Sequence, residues 1–522
     1  MPGRTPFYVT TPIYYVNDRP HIGHAYTTIA CDVMARFKRL DGYDVRFLTG
    51  TDEHGQKVQK SAEAAGLSPQ ELADRNAQNF KDLAKLLNIS NDDFIRTTEP
   101  RQHRAVQALW ERMLAAGDIY LGSYSGWYSV RDEAYYGVDE LRDGPNGTKL
   151  APTGAPVEWV EEPSYFFRLS AFQDRLLALY EQRPDFILPA GKRSEVVSFV
   201  KGGLRDLSVS RTTFNWGIKV PGDESHVMYV WLDALTNYIT ALGYPVTEPG
   251  SPYSRYWPHA LHVVGKDILR FHTVYWPAFL MSAGLELPRR VFAHGWWTVE
   301  GEKMSKSLGN VVAPHELLDA YGLDQTRYFL MREIPFGNDG DFSRRAMIQR
   351  INTELANDYG NLAQRVLSMI QKYCDGALPR PAELADADRR LLGAAQSMLA
   401  SVRAELDNQA FHKALDAIWA VIGDANRYVD EQAPWSLRKT DMVRLGTVLH
   451  TLAETIRQIA ILTQPFMPDS SGRILDQLAV SPFARDFKAL ADNPLTPGTA
   501  LPPPVPVFPR HVEAERTEEG AA

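Results

Sequence analysis

Two short segments, far apart in the chain, carry side chains suited to handling a phosphate: Pro20-His21-Ile22-Gly23-His24 and Lys303-Met304-Ser305-Lys306-Ser307. Before the first, Phe7-Tyr8-Val9-Thr10-Thr11 reads as a short buried strand, and after it Ile29, Val33, Met34, Phe37 and Leu40 recur at helical spacing until Gly42. His21 and His24 therefore fall at a strand-to-helix junction. Unpaired backbone N–H groups and the positive end of the helix dipole favour a phosphate there, and two imidazoles one turn apart add directed donors. Gly23 leaves room for a flat base to approach the backbone. In the second segment two lysines sit between Gly301 and Gly309, which lets a loop close on pyrophosphate and release it. The first string alone reads equally well as an ordinary helix start. The second would arise by chance with odds of roughly one in several thousand, and the two together point to ATP chemistry.

The elements that position them read as a divided α/β domain. Strand-like and helix-like segments alternate over 1–116, including Tyr43-Asp44-Val45-Arg46-Phe47-Leu48 running into Thr49-Gly50-Thr51-Asp52-Glu53-His54-Gly55, the pattern of a parallel sheet with crossover helices. From 117 to 225 aromatic and Gly/Pro-rich strands with turns form an inserted connective subdomain. The α/β pattern resumes over 226–290, where one helix is expected to carry Ile268, Phe271, Tyr275 and Phe279, and 291–345 leads through a short strand to the lysine loop. The segment 346–480 reads as helical, and 481–522 as a Pro-rich tail with a charged, disordered tip. The expected fold class is α/β: a Rossmann-like parallel-sheet catalytic domain with an insertion, followed by an all-α helical bundle.

Composition fits a large enzyme. The chain has 522 residues, 44% of them hydrophobic and 11% aromatic, which excludes a disordered protein and leaves material for several cores. No apolar run is long enough to span a bilayer, and the start lacks a signal-peptide core. Cys31 and Cys374 are the only cysteines, so a disulfide framework is excluded and a reducing cytoplasm is expected. The net charge of −8 argues mildly against a strongly basic nucleic-acid binder, without excluding local basic patches.

In the helical region Met347, Ile348, Ile351, Leu355, Tyr359, Leu362, Val366, Met369 and Ile370 form one apolar stripe, with Asn361 and Arg365 on its flank. Downstream a helix is expected to end at Pro434, leaving Trp435 just past the break. An aromatic there stacks on an unpaired base as single-stranded RNA readers do, or packs a helix corner.

HIGH at 21–24 and KMSKS at 303–307 together resemble the ATP motifs of class I aminoacyl-tRNA synthetases. Thr10-Thr11-Pro12-Ile13-Tyr14-Tyr15, Gly50-Thr51-Asp52-Glu53-His54-Gly55, Val230-Trp231-Leu232-Asp233-Ala234-Leu235, Gly265-Lys266-Asp267 and Asp430-Glu431-Gln432-Ala433-Pro434-Trp435 are similar to the methionyl-tRNA synthetases in particular, from about residue 6 to 480. The resemblance implies activation of methionine with ATP and transfer to the terminal adenosine of initiator and elongator methionine tRNAs, with the 2′-hydroxyl attacking. It places the methionine side chain among Ile13, Tyr15, Trp231, Ala234, Leu235, Tyr238 and His272, with Asp52 on the ammonium. His21, Gly23 and His24 go to the adenosine and α-phosphate side, Gly265 and Asp267 to the ribose, and Lys303 and Lys306 to the phosphates. The catalytic set is then His21, His24, Lys303 and Lys306. Asn361, Arg365 and Trp435 go to the anticodon. A thioether must be selected by an apolar slot with aromatic contacts and one weak hydrogen bond, from a tyrosine hydroxyl or a backbone N–H. Three of these residues have competing readings: Asp52 as a loop aspartate capping a turn, Asp267 as a helix N-cap and His272 as a core histidine.

One departure from the family is sharp. Many relatives carry zinc-binding cysteines after Gly-Trp-Tyr and before Pro-Val-Glu-Trp, where this chain has Ser129 and the stretch Leu150-Ala151-Pro152-Thr153-Gly154-Ala155. The expectation is a knuckle without structural zinc, Mg2+ entering with ATP, and a monomer. Three rivals are weaker. A tRNA-independent nucleotidyltransferase has no use for the helical domain, a cysteine or branched-chain synthetase needs a zinc pocket or a large editing insertion, and an inactive RNA-binding paralogue has no use for intact motifs.

Overall fold

A computed structural model describes residues 3–16, 19–304 and 310–512, with only the backbone of Tyr124 and Lys303. The chain divides into two compact units, one of residues 5–32 and 44–294, the other of 1–4, 33–43 and 295–522.

The first unit is built on six parallel strands: β1 (Pro6–Tyr15), β2 (Asp44–Asp52), β3 (Asp93–Arg96), β4 (Ile187–Leu188), β5 (Ala260–Gly265) and β6 (Arg290–His294), in the order β3-β2-β1-β5-β6-β4. β5 is buried at every position, as a strand covered on both faces must be. β1 pairs Val9 with Phe47, but its register to β2 shifts between Thr10 and Ile13. Pro12 lies in that gap. It has no N–H for the ladder, and the resulting irregularity sets the register in which Tyr15 faces Asp52. The inserted segment is an antiparallel pair, Ile119–Ser129 against Pro156–Phe167, running from Ile119↔Phe167 to Tyr128↔Glu158. Helix α1 (Ile22–Leu40) follows β1, and α2 (Val230–Thr240), buried along its whole length, precedes β5.

After β5 the structure departs from the single expected helix. A 3-10 turn at Lys266–Ile268 leads to a π-wound turn at Phe271–Tyr275 and only then to an α-helix, Trp276–Ser282. Pro277 explains the widening: its ring has no N–H and crowds the carbonyl four residues back, so the preceding turn opens.

In the second unit Trp297–Val299 pairs antiparallel with Glu302–Lys303 and parallel with Gly340–Phe342. The expected continuous stripe is instead an α-helix at Arg344–Arg350, a π-wound stretch at Ile351–Gly360, and α3 (Asn361–Tyr373). Met347, Ile351, Leu355 and Tyr359 are all buried. Their unbroken spacing of four exceeds the 3.6 of an α-turn, and looser winding keeps all four inward. Around them stand α4 (Asp386–Leu406), α5 (Phe411–Gln432) and α6 (Met442–Thr463), the last buried from Leu445 to Thr463 except at His450. The Pro-rich tail is extended, as expected, but packed: Val507 and Phe508 are buried and Tyr359 lies against Phe508. The expected disordered tip, 513–522, lies outside the described residues.

Candidate active site and base-reading surface

Tyr15, Asp52, Gly265 and His294 end β1, β2, β5 and β6. They thus share the carboxyl edge where open α/β sheets bind ligands. At the start of α1 the backbone fixes both histidines of the first motif. The Gly23 N–H donates to His21 Nδ1 and the His21 N–H to His24 Nδ1, each at 3.1 Å. With both Nδ1 atoms accepting, the proton of each neutral ring is on Nε2. Burial, then the neighbouring His21, holds His24 well below the usual histidine range. The rings lie 4.0 Å apart, and Tyr14 and Phe80 box His24 at 5.0 and 5.3 Å. Gly23 also has a local part: a Cβ there would come within 2.9 Å of His21 Cε1, so its missing side chain seats the His21 imidazole.

Asp267 is exposed and sits inside the 3-10 turn, which removes the helix N-cap reading. Gly265 holds the N-cap position, and a Cβ on it would meet Asp267 Oδ1 at 2.5 Å. His294, which was not singled out in the sequence, completes this edge. Thr27 Oγ1 donates to the Gly23 carbonyl at 3.1 Å and lies 2.7 Å from His294 Nε2, so a hydroxyl with one proton accepts from the imidazole. The available signal was a histidine closing a strand-like run just before a glycine.

A second cluster adjoins β1, β2 and α2. Ile13, Ala234, Leu235, Tyr238 and His272 are buried, and Trp231 stacks on Phe271 at 3.8 Å with its edge-on neighbour Tyr15 at 6.1 Å. The π-wound turn aims two consecutive side chains, Phe271 at Trp231 and His272 at Tyr238. Tyr238 Oη lies 2.7 Å from His272 Nε2 while His272 Nδ1 donates to the Ile268 carbonyl at 2.9 Å. Burial pushes His272 down to about 4. A neutral ring with Nδ1–H accepts at Nε2, so the Tyr238 hydroxyl proton is committed to His272 and not to a ligand. His54 Nδ1 and Gln102 Nε2 grip Asp233 at 2.6 and 2.9 Å and lock α2 in place.

Four polar atoms in this cluster are buried and have no hydrogen-bond partner: Tyr15 Oη, Asp52 Oδ1, Glu133 Oε2 and Trp231 Nε1. Buried polar groups are nearly always paired, so the quartet marks a place built for a ligand. Burial, then Asp233 and Glu133, holds the Asp52 carboxyl well above its usual range. Burial pushes Glu133 up to about 7. Two buried carboxyls with raised pKa are suited, once ionised, to an ammonium group. Glu133, on the inserted segment at φ 47°, was missed because nothing in its local pattern shows that the insertion folds back onto β2. Gly55 permits the approach: a Cβ there would lie 2.2 Å from Glu133 Oε1.

Where zinc cysteines would fall, Ser129 and Thr153 are tied through Asp132. The Asp132 N–H donates to Ser129 Oγ at 3.2 Å, and the Thr153 hydroxyl and Tyr136 Oη both donate to the Asp132 carboxylate. Among the described residues no group of three or more His, Cys, Asp or Glu could hold a metal ion, and no helix could cross a membrane. Lys306 lies outside the described residues; the Lys303 backbone pairs with Thr298.

In the second unit Asn361 opens α3 and is exposed, and Arg365 donates to Asp430 at 3.3 Å. The Arg365 guanidinium is 5.7 Å from the ring of Trp435, which is 42% exposed. Trp435 lies in the first turn of a new helix, Pro434–Thr440, after Ala433 reverses the chain at φ 43°. The structure therefore brings these three predicted residues to one helical unit, with the indole partly open.

Comparison with known proteins agrees along the whole chain. A family model described as class I tRNA synthetases (M) matches residues 7–367, and one described as the anticodon binding domain of methionyl tRNA ligase matches 378–521. A methionine–tRNA ligase of Brucella suis biovar 1 (strain 1330) is 60% identical over 512 residues, 98% of this chain and 99% of its own length. That of Rhizobium meliloti (strain 1021) is 60% identical over 99% of this chain and 100% of its own. The solved Mycobacterium tuberculosis methionyl-tRNA synthetase in complex with methionyl-adenylate is 58% identical, with a TM-score of 0.95, covering 97% of this chain and 100% of that one.

Proposed function

The chain belongs to the methionyl family of class I aminoacyl-tRNA synthetases, and from that premise we propose how its residues carry out the ligation of methionine to tRNA. The observation that carries the assignment is the unpartnered quartet of Tyr15, Asp52, Glu133 and Trp231. Asp52 and Glu133 take the α-ammonium as charge-assisted partners. Trp231, Ala234 and Leu235 wall the thioether slot, with Ile13, Tyr238 and His272 behind them. The Tyr15 hydroxyl supplies the weak hydrogen bond to sulfur that leucine cannot return.

ATP enters as its magnesium complex, the metal ligated by phosphates and water. The Nε2–H groups of His21 and His24 face the α-phosphate side, Gly265 and Asp267 the ribose, and Lys303 and Lys306 the leaving phosphates. A methionine carboxylate oxygen attacks the α-phosphorus in line, the bond to pyrophosphate breaks, and the protein acts by position and by donors aimed at the developing charge. A hydroxyl of the terminal adenosine then attacks the adenylate carbonyl and AMP leaves. Trp435 stacks on an unpaired anticodon base while Asn361 and Arg365 bond base edges. The reading includes a cytoplasmic monomer serving initiator and elongator tRNAs, and a knuckle held by Asp132 in place of zinc.

Pyrophosphate exchange with each of the twenty amino acids, followed by charging of both methionine tRNAs, tests it. Exchange with methionine and charging of both are expected. Exchange that depends on another amino acid would sink the slot assignment.

A further inference from the structure

We propose that the C-terminal tail completes a groove for the ribose–phosphate backbone of the tRNA, with Arg344, Arg345 and Arg510 as its phosphate contacts. The inference rests on the tRNA reading above and extends it away from the bases. Two cavities lie along the π-wound stretch Ile351–Gly360. One, of about 820 Å³, is lined by Arg344, Arg345, Asn352 and the tail residues Arg510 and His511. The other, of about 410 Å³, is lined by Asn357, Asn361, Gln364 and again Arg510. Arg510 thus joins them into one groove that ends at Asn361.

The tail is anchored on both sides of Arg510. Phe508 packs where Gly360 has no side chain, a Cβ there being 3.2 Å from Phe508 Cβ. Beyond it, Asn352 clamps His511 as a strand would, accepting its N–H at 2.8 Å and donating to its carbonyl at 3.0 Å. Gln477 clamps Val505 in the same way at 2.7 and 3.0 Å. The Arg510 backbone is therefore fixed, and its side chain is exposed.

Charge decides what the groove accepts. Nearby arginines are neutralised: Arg332 by Glu354 and Asp416, Arg350 by Glu333 and Glu354. Arg344, Arg345 and Arg510 have no carboxylate partner among the described residues; Arg510 only donates to Asn357 Oδ1 at 3.4 Å. Glu300, which also lines the first cavity, accepts the Arg344 backbone N–H at 3.0 Å. In a chain of net charge −8, three unneutralised guanidinium groups strung along an open groove with amide side chains between them fit a repeating anion, which forks bidentately with arginine. A groove that ends at the base-reading Asn361 fits the strand that delivers those bases.

The test uses the full chain, methionine tRNA and its anticodon-substituted form, with dissociation constants measured from about 50 to 200 mM salt. Arg344→Ala/Arg345→Ala/Arg510→Ala should weaken both RNAs by about tenfold or more and make the slope of log affinity against log salt shallower by about two to three, as loss of three phosphate contacts requires. Pyrophosphate exchange without tRNA should be unchanged and reports that the variant is folded. The triple Arg→Lys variant should keep most of the slope. An unchanged slope with intact exchange overturns the groove while leaving base recognition standing. An unaltered protein that binds no methionine tRNA overturns both.

Discussion

Glu133 makes the sharpest claim at the scale of a single residue. Burial raises its carboxyl from 4.5 to about 7, so the folded chain holds a proton that the unfolded chain releases. The stability this group contributes is full below about 4.5 and is lost as pH rises through about 7. Methionine binding runs the other way: the ammonium needs the carboxylate, so affinity should rise with pH up to about 7 and then level. Glu133→Gln should flatten the pH profile of the methionine KM and raise that KM by about tenfold or more at the alkaline end, a lost charge-assisted hydrogen bond being worth ~1.5–3 kcal/mol. The ATP KM should not move. A profile identical to that of the unaltered protein removes Glu133 from the ammonium site.

Two elements owe their function to departures from regular winding. The π-wound turn before Pro277 carries Phe271, stacked on Trp231, and His272, bonded to Tyr238. The longer stretch Ile351–Gly360 keeps residues four apart on one buried face and ends at Gly360 beneath Phe508. In an exposed helix Gly→Ala gains up to about 1 kcal/mol. Here the added methyl would lie 3.2 Å from Phe508 Cβ and 3.0 Å from the Leu355 carbonyl, and overpacking costs ~1–3 kcal/mol. Overpacking wins, so Gly360→Ala should lower the melting temperature while pyrophosphate exchange at 25 °C stays unchanged. A higher melting temperature would mean that the tail does not press on this helix.

Across the whole molecule, Trp435 stands in the second unit and the methionine slot in the first, so on the proposed function base recognition and amino-acid activation are separable by mutation. Trp435→Ala removes a stacking surface worth ~1–3 kcal/mol per base. It should lower kcat/KM for charging by roughly tenfold to a hundredfold and leave amino-acid activation intact. Equal losses in both assays would mean that Trp435 packs the helix corner instead. The acidic net charge does not oppose RNA binding, because charge acts locally: Arg332 and Arg350 are paired with carboxylates, whereas Arg344, Arg345 and Arg510 line the groove without a carboxylate partner among the described residues.

The sequence by itself determined the chemistry that local spacing encodes. HIGH and KMSKS and the alternation of strand and helix are visible as short strings or periodic runs, because each depends on neighbours within a turn or a strand, whereas the slot residues around Trp231 came only with the resemblance to the family. Tertiary structure decided what depends on distant segments meeting. Glu133 reaches Asp52 only because the insertion folds back, and His294 meets Thr27 only through the order of strands in the sheet. The commitment of the Tyr238 proton to His272, and the role of Gly23 as a seat for His21, follow from side-chain placement that no local pattern encodes. The tail reads as Pro-rich and extended by composition, and Asn352 and Gln477 supply it with the backbone partners that its own sequence lacks.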